Sequence, residues 1–130
     1  MATISGRLLL VDDEPALLKM MSVYLGRRGY TVEAVASTDE AWLRVQADPT
    51  AYAVAVLDGS MAGLPSGELA LRLLRINAEA RVIATSGYPA DVSGLQAEAP
   101  GRAEFLPKPF TPEMLANLVE RMLGQKEESV

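Results

Sequence analysis

Five side chains, scattered along a chain of 130 residues, combine into one kind of chemistry: Asp12, Asp13, Asp58, Thr85 and Lys108. Each stands at or just past the end of a short apolar run. Leu8-Leu9-Leu10-Val11 leads to the aspartate pair, Ala53-Val54-Ala55-Val56-Leu57 to Asp58, Val82-Ile83-Ala84 to Thr85, and Phe105-Leu106 almost to Lys108. Three carboxylates brought together repel one another unless a cation stands among them. Hard oxygen donors suit Mg2+, which keeps several waters and bridges one or two carboxylates to a phosphate. A lysine pairs with phosphate as a point charge, and a threonine hydroxyl donates to a phosphoryl oxygen. A carboxylate is also a nucleophile able to become an aspartyl phosphate. Gathered on one edge, the five describe a metal-assisted phosphoryl-transfer site with a carboxylate acceptor. Singly, each is commonplace, since an Asp-Asp pair after a strand often only caps the next helix. The coincidence at several strand ends carries the inference.

The elements between these residues must bring them together. Leu8–Val11, Thr31–Ala36, Ala53–Leu57, Arg81–Thr85 and Ala103–Leu106 read as five strands, mostly continuous apolar runs of the kind buried on both faces. Helical spacing fills the intervals. Leu17, Leu18, Met21 and Leu25 mark a helix from Pro15 to Arg28, with Gly29 as its stop. Ser37 and Glu40 form a capping-box pattern opening a second helix, through Trp42 to near Pro49. Gly59–Ser66 reads as a loop and Gly67–Asn77 as a third helix. Pro89–Arg102 is poor in apolar residues and predicts only a short fourth helix. Thr111 as N-cap and Pro112 as first helical residue open the fifth, which Gly124 is expected to end, leaving 125–130 as a frayed polar tail. The leucine and methionine stripes, and Trp42 in part, are core.

Five strands alternating with five helices imply βαβ units, hence a doubly wound α/β fold with a five-stranded parallel sheet in the order 2-1-3-4-5. Ligands then bind beyond the carboxyl ends of the strands, at the switch point between strands 1 and 3. The length predicts a single domain, 1–130, with its core over about 6–124. With 12 basic and 17 acidic residues the net charge is −5, a poor match to nucleic acid. The absence of cysteine and histidine excludes disulfides, thiolate and His-ligated zinc sites, and Ser-His-Asp or Cys-His catalysis within the chain. The apolar run Leu8–Val11 is too short for a signal-peptide core and no run approaches a membrane span, so a cytoplasmic location is expected.

The motifs Leu-Leu-Leu-Val-Asp-Asp-Glu-Pro at 8–15, Val-Leu-Asp-Gly-Ser-Met at 56–61, Ala-Thr-Ser-Gly at 84–87 and Phe-Leu-Pro-Lys-Pro-Phe at 105–110 resemble, in this order and spacing, the receiver domain of two-component response regulators, with its CheY-like fold. The resemblance runs from about Gly6 to Gly124. It implies that Asp58 is the phosphoacceptor. Asp12, Asp13, Asp58 and the Ser60 backbone carbonyl would hold Mg2+. Thr85 would close on the phosphoryl group, Lys108 would pair with it, and Phe105 would occupy the place of an aromatic switch residue. The Lys108–Pro109 peptide would be cis. The implied partners are a histidine kinase or phosphotransfer protein and an unspecified output protein met through the helix 4–strand 5–helix 5 face. No nucleic acid or membrane contact is implied, and the chain would be a monomer or weak dimer. Self-phosphorylation and autodephosphorylation would be its only turnover.

The sequence departs from the family pattern at Gly59, at Ala62, at Pro65-Ser66-Gly67 and in the thin helix 4. Other classes have their own requirements. A receiver-like module that acts without phosphorylation usually lacks one of the five site residues. A Mg2+-dependent phosphohydrolase wants an acid/base carboxylate two residues after the nucleophile, where Ser60 stands. A flavodoxin-like cofactor binder wants a phosphate loop where Asp12-Asp13-Glu14-Pro15 stands, and a P-loop is absent.

Overall fold

The computed structural model describes residues 7–128, with side chains described through Gly124. In chain order the elements are β1 (Arg7–Val11), α1 (Pro15–Arg27), β2 (Thr31–Val35), α2 (Thr38–Ala47), β3 (Val54–Asp58), α3 (Ser66–Ile76), β4 (Arg81–Ser86), α4 (Ser93–Glu98), β5 (Ala103–Pro107) and α5 (Pro112–Glu128). All strand pairs are parallel, in the order β2-β1-β3-β4-β5, as the alternation predicts.

The apolar runs split between two cores because successive strand residues face opposite sides. Leu8 and Leu10 join Met21, Leu25, Leu115, Val119 and Met122 under α1 and α5. Leu9 and Val11 join Val45, Leu69, Leu73 and Leu74 under α2 and α3. All five residues of β3 are buried, so the sheet's centre is covered on both faces.

Local chemistry sets most helix ends. Gly29, at φ +98°, closes α1 in a Schellman motif: its N–H donates to Gly26, and Tyr30 N–H reaches back to Leu25. The Ser37 hydroxyl accepts from Glu40 N–H at 3.0 Å, but the Glu40 carboxylate takes Arg44 rather than closing the box. Thr111 caps α5 by accepting from Met114 N–H at 3.1 Å.

Two expectations need correction. Gly124 does not end α5, which continues to Glu128. Gly124 is not among the glycines at positive φ, and a helix tolerates an interior glycine at about 1 kcal/mol when helix formers such as Gln125, Lys126 and Glu127 come after it. The expected tail is therefore helical over 125–128, and Ser129 and Val130 lie outside the described residues, as does Gly6. α3 begins at Ser66, one residue earlier than the glycine suggested, with Pro65 in extended backbone before it. α4 is as short as expected, six residues with none buried.

Candidate functional site

Strand register puts the polar residues side by side. Asp58, the last residue of β3, lies directly opposite Thr85 of β4, and β1 runs beside β3 so that Asp12 comes after Val11 at the same edge. The β3 and β4 ends stay paired past the strand, Gly59 N–H donating to Thr85 at 2.7 Å. β5 brings Lys108 to this edge, its N–H donating to Ser86 at 2.8 Å. The Lys108–Pro109 peptide is cis.

Asp12 and Asp58 are each only 3% exposed, while Asp13 faces solvent. One carboxylate oxygen from each of Asp12, Asp13 and Asp58 lies within 4.8 Å of the others. The Lys108 ammonium stands 3.0 Å from Asp12 Oδ2 and 3.4 Å from Asp58 Oδ1. Partial burial works against the lysine's charge, but the hydrogen bond to Asp12 and the charges of Asp12 and Asp58 outweigh it, raising its pKa above the ordinary value. Glu14 N–H donates to Asp12 Oδ1 at 3.0 Å, an Asx turn that orients this carboxylate as the chain enters α1. Ser60 N–H donates to Asp58 Oδ1 at 3.3 Å.

The donor set fits Mg2+. Three hard carboxylates converge, two of them buried and one open to water, and a single lysine leaves them with excess negative charge. Asp12, Asp13 and Asp58 are the side chains that would hold the ion, which would neutralise charge on a phosphoryl group.

Thr85 is buried, and its hydroxyl donates to the Leu57 carbonyl of β3 at 3.4 Å, a long bond that is cheap to exchange. Phe105 lies on β5 opposite Ala84 of β4 and is half-buried, one strand position before the neighbour of Thr85. The structure thus brings Asp12, Asp13, Asp58 and Lys108 into one cluster, with Thr85 beside it and Phe105 further down β5.

Two further residues fasten the main chain after Asp58 without having been singled out by sequence. The Ser66 hydroxyl donates to the main-chain carbonyl of Asp58, tying the start of α3 to the end of β3. The Pro65-Ser66-Gly67 departure from the family pattern was the available signal. Thr38, the first residue of α2, is completely buried and donates to the Ala62 carbonyl at 3.3 Å. It reads in sequence only as part of a helix start.

A parallel sheet wound 2-1-3-4-5, with an acidic cluster at the carboxyl ends of its central strands, is the CheY-like form of the flavodoxin fold. The family profile of the response regulator receiver domain matches residues 8–120, and the chain belongs to that family. It is similar to the response regulator receiver protein CpdR of Brucella abortus, 28% identical over 90% of this chain and 96% of that protein. It is also similar to the sensor kinase CckA of the same organism, 32% identical over 95% of this chain. The chain spans only 13% of CckA, so that likeness concerns one segment of a longer protein. Among solved structures, a CheY-like receiver domain protein from Methanospirillum hungatei superimposes with a TM-score of 0.79 at 25% identity, covering 95% of this chain and 98% of that one.

Proposed function

We propose that this receiver domain is a phosphorylation-dependent signalling switch that accepts its phosphoryl group on Asp58. The observation carrying the reading is the Lys108 ammonium, which bridges Asp12 and Asp58 at 3.0 and 3.4 Å beside an acidic trio suited to Mg2+. A carboxylate oxygen of Asp58 attacks phosphorus as the bond to the donor's histidine nitrogen or other leaving group breaks. Lys108 then exchanges part of its contact with Asp58 for a phosphoryl oxygen. Ser60 would supply its backbone carbonyl as a further ligand to Mg2+.

Phosphorylation adds charge and strong acceptor oxygens. Thr85 trades its long bond to Leu57 for one of them, and Phe105 turns inward behind it. That change biases the face built from α4, β5 and α5. α4, with no buried residue, is the part of that face least held by the core. The phosphodonor is a histidine kinase or phosphotransfer protein, in keeping with family membership and with the likeness to CckA and CpdR. No helix among the described residues is long and apolar enough to cross a membrane. A cytoplasmic location, monomeric or weakly dimeric, suits the role.

The test is the intact mass after incubation with Mg2+ and a small phosphodonor such as acetyl phosphate. The wild type is expected to gain one phosphoryl group only when Mg2+ is present, and Asp58→Asn to gain none. Folded, Mg2+-loaded protein that stays unmodified with both small donors and kinases would instead favour a module that works by protein contact alone.

A further inference from the structure

The loop after Asp58, 59–65, departs from its family pattern at Gly59 and Ala62, yet it is fastened at two points. At its far end Ser66 donates to the Asp58 carbonyl. At its middle it lies against the first turn of α2. There Thr38 Oγ1 donates to Ala62 O at 3.3 Å, and Gly63 comes so close that a Cβ would stand 2.7 Å from Asp39 Oδ2. Gly63 also sits at φ +89°, a conformation that strains any other residue. Thr38 is completely buried, and its hydroxyl is not used by the phosphoryl-transfer chemistry described above. Ala62 lies two residues beyond Ser60, whose N–H contacts Asp58 at 3.3 Å.

We propose that Thr38 is a positioning residue for the acidic site, acting through the Ala62 carbonyl to latch the 59–65 loop on α2 and so hold Ser60 over Asp58. The inference rests on the reading of Asp12, Asp13 and Asp58 as a Mg2+ site. A buried hydroxyl on a main-chain carbonyl is costly to leave unpaired, which gives the latch one preferred setting. With the latch closed, the Ser60 main chain is presented to the ion at little cost. With it open, ion binding must order the loop itself, and affinity falls.

Two substitutions separate positioning from packing. Thr38→Val keeps the buried shape and removes the donor, whereas Thr38→Ser keeps the donor and removes a methyl group. Mg2+ affinity is read by calorimetry on folded protein well below its melting temperature. Thr38→Val is expected to weaken Mg2+ about tenfold, as for groups that orient metal ligands, and Thr38→Ser to stay within about twofold of wild type. Amide exchange without metal supplies the second readout. Thr38→Val is expected to speed exchange at the Ser60 and Gly63 amides while leaving β1 and β3 unchanged. Thr38→Val binding Mg2+ as tightly as wild type, or Thr38→Ser weakened as much as Thr38→Val, would overturn the proposal, because a packing role lowers the melting temperature without changing the affinity of folded protein. Wild-type protein that binds no Mg2+ would defeat the metal-site reading and this role with it. The exchange rates would then report on the mechanical tether separately.

Discussion

Lys108 and Asp12 are separated by 96 positions in the chain, yet Nζ of one stands 3.0 Å from Oδ2 of the other, with the Asp12 side chain almost wholly buried. The same ammonium reaches Asp58 at 3.4 Å. One lysine thus holds two buried carboxylates where strands β1, β3 and β5 end.

Removing that cation should expose the repulsion it masks. Lys108→Met is expected to lower stability in metal-free buffer by about 1–3 kcal/mol, less than for a fully buried pair because Lys108 is partly solvated. Mg2+ should then raise the melting temperature of the variant more than that of the wild type, since the ion replaces the lost charge. Thermal melts with and without Mg2+ check both statements. Equal gains in the two proteins would mean that Lys108 and the ion do not compensate the same carboxylates.

Thr85 poses a different question, because its hydroxyl bond to Leu57 is long and contributes little. Thr85→Ala is expected to cost no more than about 1 kcal/mol. It should still accept a phosphoryl group or bind beryllofluoride. What it should lose is most of the resulting change in amide exchange along β5 and α4, because a ligand shifts an equilibrium only through contacts that differ between the two states. An undiminished change would remove Thr85 from the switch.

The sheet order and the clustering of the four candidate site residues were legible because they depend on local features that the fold uses directly. An apolar run ending in Asp12 or Asp58 specifies both a buried strand and the carboxylate that projects beyond it. Contacts between main chain and distant side chain were not legible. Thr38 looks like any residue of a helix start until the β3–α3 loop lies against it, and Ser66 like a loop residue until Asp58's carbonyl is found above it. Gly124 misled because a glycine ends a helix only when it adopts the left-handed conformation, as Gly29 does, and that depends on the residues beyond it. The partners of Arg102 were hidden for the same reason as those of Thr38.

Glu33, on the edge strand β2, is held by Tyr52 Oη at 2.6 Å, by Arg44 at 3.0 Å and by Arg7 at 3.4 Å. The tyrosine hydrogen bond, joined by those cations, pulls its pKa below the ordinary glutamate value despite some burial. Burial and the same hydrogen bond push the Tyr52 hydroxyl up to about 12, so it stays protonated through the neutral range. A lowered carboxylate pKa stabilises the fold above the unfolded value, about 4.3, and that contribution fades as pH falls through the lower folded value. Tyr52→Phe is expected to lose about 1–2 kcal/mol at pH 7. Denaturant melts from pH 7 down to pH 3 should show this gap narrowing only below about pH 4.

Arg102 staples the opposite end of the sheet. Its Nε donates to Ala80 O at 2.8 Å, and its Nη2 donates to Leu74 O at 3.0 Å and to Asn77 O at 2.6 Å. Leu74 lies in the last turn of α3, whose carbonyls have no partner within the helix, and Ala80 immediately precedes β4. One planar fork therefore closes the turn between α3 and β4 from the residue just before β5. Lysine cannot do this, since its donors radiate from a single nitrogen. Arg102→Ala is expected to cost about 2–4 kcal/mol and Arg102→Lys to recover less than half of it, read by denaturant melts, with exchange accelerating first at Asn77 and Ala80. Because the staple sits at the amino ends of the strands and Asp58 at the carboxyl end, phosphorylation per folded molecule should be unchanged. A variant of wild-type stability that loses phosphorylation would instead place Arg102 in the coupling between the two ends of β4.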